Sequence, residues 1–417
     1  MRRRAGIAVL AVLLLAAGLY ALAESRRPSV LTVGVYAGSY WDTPSGDCYQ
    51  ILDKAAALFQ ETCGVQVEYV SGIPTDSYSE WLAEGILKGQ EPDLYFVLPE
   101  DFQLLASSGA LAALDGFMAS DGDFDAGAYY EPCLRAGRLE GKQYALPQES
   151  APTIMFVNKS LLERRGIPLP DNRWTWDDFY RICAQMTDPD GRTFGVYGYT
   201  WQNALYSNGA ALFSEDGTAC YLADERVQAA VQFARRLEDL NGGYTVTARD
   251  FDLGRVAFRP LLFSEYRAYQ PYPWRVRKYS GFEWDCVCMP AGPDGGNVSE
   301  LHTMLLGISA RSRNQELAWE LAKLLSCDET VQSWLYTYSH GLSPLRQVSE
   351  DGDLDLPGSF PAEVIQEIMS TSVTAPRFER STQAMMLAEN AVAEAGSQDQ
   401  QSRMLIAQRE INVFLNQ

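Results

Sequence analysis

The residues able to do chemistry in this chain are carboxylates and aromatic rings, with little else. It holds 54 acidic residues, 22 tyrosines and nine tryptophans against two histidines, His302 and His340. Flat rings can cover apolar C–H faces while acidic tips accept from hydroxyls, so this stock suits a polyhydroxylated molecule. It also suffices for one reaction, hydrolysis of a glycoside by two facing carboxylates, although no spacing selects such a pair. A serine–histidine nucleophile is hard to build from histidines at 302 and 340. No Gly-x-Ser-x-Gly elbow, His-Glu-x-x-His, phosphate loop or Gly-x-Gly-x-x-Gly occurs. The acidic runs Asp121-x-Asp123-x-Asp125 and Asp351-x-Asp353-x-Asp355 lack the glycine and glutamate that a calcium loop needs at positions six and twelve, and read as solvated turns. Arg259, Arg267, Arg275 and Arg377 are scattered rather than gathered with glycines into an anion nest, which favours hydroxyl or amine ligands over phosphate.

Eight cysteines (48, 63, 133, 183, 220, 286, 288, 327) include no Cys-x-x-Cys, and with two histidines a zinc site is not expected. An even number allows pairing in an oxidising compartment. Cys48 and Cys63 bracket one expected helix, about 22 Å apart at 1.5 Å per residue, which excludes a bond between them. Cys286 and Cys288 share one face of a strand.

At 417 residues and 47% hydrophobic, the chain exceeds one ordinary domain, and two lobes are expected. Its formal charge of -20 repels phosphate backbones, so nucleic acid is excluded as a partner. At the N-terminus, Arg2 to Arg4 precede an uncharged run from Ala5 to Ala23, and Ala21-Leu22-Ala23 has the small residues of a cleavage site. Residues 1–23 therefore read as an export signal. An uncleaved anchor is the alternative, since the run is long enough to span a bilayer. The first cysteine is Cys48, so no lipid-attachment cysteine follows the signal.

The elements that must position the rings and carboxylates alternate. Leu31 to Tyr36 reads as a strand, Ile51 to Phe59 as a helix and Val65 to Tyr69 as a strand, giving a β-α-β unit. Ser77-x-x-Glu80 is a capping-box pattern for a helix that Gly89 stops, Asp93 to Val97 is a buried strand, and Pro99 suits the first turn of the next helix. Further strands are expected at Thr153–Val157 and Thr303–Ser309. Helices are expected at 160–165, after a box-like cap at Thr175-x-x-Asp178, through Val227 to Leu237, from Ser312-x-x-Gln315 to Leu325, and from Gln383 onward. Trp81, Trp176, Trp319 and Trp334 fall at helical spacings and are assigned to core or caps. His302 reads as a structural histidine.

Five segments in succession resemble a known family: Gly141-Lys-Gln-Tyr-Ala-Leu-Pro147, Thr153-Ile-Met-Phe-Val-Asn-Lys159, Leu161 to Pro168, Trp174-Thr-Trp-Asp-Asp-Phe179 and Phe194-Gly-Val-Tyr-Gly-Tyr199. Gly307-Ile-Ser-Ala310 with Asn314 to Ala322 agrees. This order is similar to the bacterial extracellular solute-binding proteins of ABC importers, the maltose-binding-protein-like group that delivers sugars and oligosaccharides. The resemblance implies an α/β fold of the two-lobed periplasmic-binding type (type II), with discontinuous lobes joined by hinge crossings near 147–152, 300–303 and 341–346. The N-terminal lobe would be 30–147 plus 303–345, and the C-terminal lobe 148–302 plus 346–417.

By family position, the implied ligand contacts are Tyr40 and Trp41 after the first strand, Glu100 with Asp101 after the third, and Glu149 in the first crossing. Trp201, Asn203 and Tyr206 follow the Phe194 motif. Ser264, Glu265 and Tyr266 stand where relatives commonly carry glycine and tryptophan, and Phe378 lies near the end. Trp274 and Trp284 lie between. The implied function is capture of a sugar or oligosaccharide between the lobes and delivery to ABC permease subunits, by an extracytoplasmic monomer without cofactor or catalysis. A sensor feeding a membrane kinase or chemoreceptor, or a two-carboxylate glycoside hydrolase, are the alternatives.

Overall fold

In the computed structural model, residues 30–38, 40–41, 48–70, 72–269, 281–351, 361–395 and 399–417 are described. The expected signal at 1–23, Trp274, Arg275, Asp353 and Asp355 lie outside them. Strand β1 (Val30–Gly34) buries Leu31 and Val33 and exposes Thr32, as its alternation requires. Helix α1 (Cys48–Cys63) returns the chain to β2 (Gln66–Tyr69), parallel to β1. Helix α2 (Thr75–Lys88) ends at Gly89, whose φ of 68° lets Gly89 N donate to Ile86 O and Gln90 N to Gly85 O. The Ser77–Glu80 capping box does not form. Pro74 fixes the entry and the helix begins at Thr75, so Ser77 falls inside the first turn with its amide given to Pro74 O. All of β3 (Leu94–Val97) is buried, and Pro99 sits in the turn ahead of α3 (Phe102–Ser107) rather than inside the helix.

The strand expected at Thr153–Val157 is much longer. β4 (Ala145–Asn158) has 14 residues, every one buried. Helices α4 (Trp176–Met186), α5 (Trp201–Ser207), α6 (Glu225–Asp239) and α7 (Phe263–Tyr269) alternate with strands β5 (Phe194–Val196), β6 (Val256–Leu262), β7 (Trp284–Val287) and β8 (Leu301–Ile308). Helices α8 (Gln315–Cys327), α9 (Ser381–Glu394) and α10 (Gln400–Leu415) follow. The strand order is β2-β1-β3-β8-β4-β6-β5, with β7 also on β4. β8 is antiparallel to both β3 and the first half of β4, from Gly307 opposite Ala145 to Leu301 opposite Pro152. From Thr153 onward β4 changes partners to β6 and β7. Pro152, which has no N–H, marks the exchange.

Apolar packing follows the same exchange. One core holds Leu31, Phe96, Leu146, Leu305 and Trp319; a second holds Met155, Trp176, Phe179, Phe258 and Met404; a third joins Ile154, Phe156, Phe263, Leu301 and Leu342. Burying each such side chain contributes roughly 1.5–3 kcal/mol. Thr175 and Asp178 form the capping box read from sequence, Thr175 Oγ1 donating to Asp178 Oδ2 at 2.9 Å. Trp176 stacks on Phe233 at 4.2 Å, and Trp319 packs on Phe117, so both are core residues. Ser312 does not cap α8 but donates to Asp93 at 2.6 Å. Asp121 is no solvated turn residue. It accepts from Trp319 Nε1 at 2.9 Å and Lys323 Nζ at 2.6 Å, and these bonds hold its carboxyl down to about 2. Among the described residues the cysteines at 63, 133, 183, 220, 286, 288 and 327 are free thiols, and no helix is long and apolar enough to cross a membrane.

Candidate functional site at the carboxyl ends of the strands

Ligand sites in open α/β sheets form beyond the carboxyl ends of parallel strands, where loops from neighbouring strands converge. Tyr40 and Trp41 follow β1, and Glu100 and Asp101 follow its neighbour β3. Parallel pairing therefore brings together groups about 60 residues apart: Tyr40 Oη donates to Glu100 Oε2 at 3.1 Å. The Tyr40 and Trp41 rings meet edge to face at 5.0 Å. Burial, reinforced by Glu100, pushes the Tyr40 hydroxyl above its ordinary range. Ser79 Oγ donates to Asp101 Oδ2 at 2.6 Å, and burial raises that carboxyl too.

Glu149 lies in the first half of β4 and is 6% exposed. Its Oε1 accepts from Trp41 Nε1 at 2.5 Å, Ser339 Oγ at 2.5 Å and Gly341 N at 2.7 Å. Loss of water nonetheless dominates, and its carboxyl is raised despite these donors and the nearby Arg267. Arg267, on α7, donates to Gly341 O at 2.6 Å and Tyr336 O at 2.8 Å, tying that helix to the same segment.

Thr200 and Asn203 form a capping box at the start of α5, so the Asn203 oxygen is engaged by Thr200 N at 3.0 Å. Trp201, half-buried, opens on a groove of about 1030 Å³ with Tyr199, Gln202, Glu238, Tyr244 and Glu389. Tyr206 and Phe378 line a different cavity, of about 440 Å³, together with Arg135, Arg138 and Arg377. Phe378 meets Phe213 edge to face at 5.2 Å. Ser264 is fully buried, and Tyr266 is 3% exposed, stacked on Phe263 and edge-on to Phe156 and Trp284. Glu265 accepts from Leu262 N at 3.3 Å at the start of α7.

The fold thus gathers Tyr40, Trp41, Glu100 and Glu149 in one cluster and Tyr206 with Phe378 in one cavity. It buries Ser264 beside the third core, which holds Tyr266, and puts Asn203 in a cap and Trp201 on a separate groove. Arg377 links cluster and cavity: it lines the cavity, its guanidinium lies 5.0 Å over Phe102, and its charge acts on Tyr40. No local motif marks Ser339; Gly341 enters the sequence reading only as the start of a crossing, and Arg267 and Arg377 only as scattered arginines. His302 on β8 places its Nε2 3.9 Å from Oε2 of Glu300, just ahead of the strand. Among the described residues no group of three or more His, Cys, Asp or Glu side chains could hold a metal.

The sequence pattern of the family described as bacterial extracellular solute-binding protein matches residues 43–331. The galactooligosaccharide-binding protein of Bacillus subtilis (strain 168) is 24% identical over 218 residues, 49% of this chain and 50% of that one. An ABC substrate-binding protein from Listeria monocytogenes, solved in complex with cycloalternan, superposes with a TM-score of 0.72 at 18% identity, covering 94% of this chain and 100% of that one. The cyclic alpha-maltosyl-1,6-maltose binding protein of Arthrobacter globiformis gives 0.75 at 17% identity, covering 93% and 99%. Both share the two-lobed α/β fold found here. With the family pattern spanning more than half of its length, this chain belongs to the bacterial extracellular solute-binding proteins.

Proposed function

We propose that the protein captures a sugar or oligosaccharide between two lobes, 30–147 plus 303–345 and 148–302 plus 346–417, and hands it unaltered to the permease of an ABC importer. The observation that carries this reading is the cluster of Tyr40, Trp41, Glu100 and Glu149, rings beside carboxylates at the carboxyl ends of β1 and β3 and on β4. Tyr40 and the exposed Glu100 offer a ring and a hydroxyl acceptor together, and the buried Trp41 and Glu149 hold them from behind. The sugar named for the Bacillus relative and those named for the two solved structures support the ligand class.

The crossings at 147–152, 300–303 and 341–346 serve as hinges in this reading. Few torsions change when rigid lobes swing about such segments, and Pro147, Pro152 and Pro344 narrow them further. Glu149, Ser339 and Gly341 join two of these segments with hydrogen bonds. The receptor acts as a monomer outside the cytoplasmic membrane, released by cleavage after Ala23 or held by the uncleaved segment, and uses no cofactor and no catalysis.

Thermal unfolding over a carbohydrate panel tests the function. Ligand that binds only the folded state raises Tm by mass action, by about 2.7 kcal/mol of stability at a hundredfold excess over Kd. No shift with any sugar, or chromatographic recovery of a cleaved product, would overturn it.

A further inference from the structure

The 440 Å³ cavity at Arg377 is built differently from the Tyr40–Glu149 cluster, and its charge is its distinguishing feature. Three arginines line it: Arg135 at the end of the helix Glu131–Arg135, Arg138 just after it, and Arg377 from the segment before α9. Two carboxylates, Glu140 and Glu215, also line it, and both are exposed, so solvent screens them. Arg135 is exposed and 3.7 Å from Glu131, while Arg138 gives its Nε to Gln143 at 2.9 Å.

Arg377, like Arg138, has no acidic partner among the described residues, and it alone borders the Tyr40 cluster. One nitrogen donates to the Ala136 carbonyl and the guanidinium faces the Phe102 ring, but among the described residues no carboxylate lies within ion-pair reach. Burial pulls it down to about 10, with Tyr40 opposing. A guanidinium carries five donors in a planar fork that matches a carboxylate. The buried Tyr206 and Phe378 line the same cavity, Phe378 packed edge to face against Phe213. A cation without an ion-pair partner in a cavity large enough for a sugar fits a saccharide that bears an acid group better than a neutral one.

We propose that the protein's saccharide is acidic, and that a uronate carboxylate of the ligand seats on Arg377, with Arg138 and Tyr206 beside it. This rests on the receptor reading above and narrows its ligand class. It also reverses the preference for uncharged or cationic ligands suggested by the scattered arginines in the sequence.

Isothermal titration with matched pairs tests it: digalacturonate against galactobiose, and glucuronosyl-glucose against maltose, at low and high ionic strength. The uronate of one pair should bind at least about tenfold tighter than its neutral partner, the range expected for a charge-assisted hydrogen bond, and lose affinity with salt. Arg377→Met should erase that preference, so that each uronate binds no tighter than its neutral partner, and Arg377→Lys should keep part of it. If Arg377→Met does not fold, Arg138→Gln should reduce the uronate preference and its salt dependence instead. Neutral sugars binding as tightly as uronates to the unaltered protein would overturn the proposal while leaving a carbohydrate receptor intact. Failure of all four saccharides and of the wider panel would remove both.

Discussion

Gly341 and Glu149 are packed so closely that only a glycine fits: the Gly341 amide donates to Glu149 Oε1 at 2.7 Å, and a Cβ at position 341 would overlap the carboxylate. One partner lies on β4 and the other in the 341–346 segment, so two stretches nearly 200 residues apart are locked by a single buried group. Gly341→Ala is expected to force Glu149 or the segment aside at a cost of about 1–3 kcal/mol, typical of overpacking. Urea denaturation measures that loss, and affinity for the receptor's sugar should fall with it. A variant as stable as the parent would show that the segment yields freely.

Glu149 makes stability depend on pH in a direction opposite to most carboxylates. Its folded-state carboxyl is raised by burial, so the folded protein binds more protons than the unfolded chain in the window above the ordinary glutamate range. Its contribution is complete below that range and is lost as pH rises through the raised value. Glu149→Gln should flatten this decline, so the variant gains on the parent as pH rises from mildly acidic to neutral. Melting curves across that window decide the matter; a gap between the two proteins that stays constant with pH would count against it.

Asp121 works the other way. Lys323 and Trp319 hold its carboxyl down to about 2, so its stabilisation is present above the ordinary aspartate range and lost as pH falls toward about 2. Asp121→Asn should cost about 1–2 kcal/mol at neutral pH, less than the full shift because the pair borders solvent. The gap from the parent should close in acid. Guanidinium titrations at neutral and acidic pH provide the test.

Trp201 opens on the 1030 Å³ groove rather than on the Tyr40 cluster. If an oligosaccharide extends from the cluster into that groove, Trp201→Ala should weaken a tetrasaccharide by about tenfold, in the range of a lost aromatic platform, and leave monosaccharide binding and Tm nearly unchanged. Equal affinity for the long ligand in parent and variant would confine the site to the cluster and the Arg377 cavity.

Local signals in the sequence mapped onto local structure. The ends of α1 at Cys48 and Cys63, the Gly89 stop and the Thr175–Asp178 box depend on neighbours within a few residues, where hydrogen-bond spacing and backbone conformation are set by residue type. The Ser77 and Ser312 caps failed where Pro74 and Asp93 offered competing partners. Tyr40, Trp41, Glu100 and Glu149 were candidates because the motif order resembled a family, and the fold brings these four together.

What the sequence determined by itself is the alternation of strands and helices, the apolar faces that bury them, and an acidic, aromatic stock of side chains. What only the tertiary structure decided is which of those side chains share a space. β4 runs unbroken through both halves of the sheet, Ser264 and Tyr266 sink into the core, and Arg377 comes to rest over Phe102 some 275 positions earlier in the chain. The physical reason is that burial and charge pairing depend on the environment assembled by long-range strand pairing, and no periodicity or spacing within one segment records what will face it.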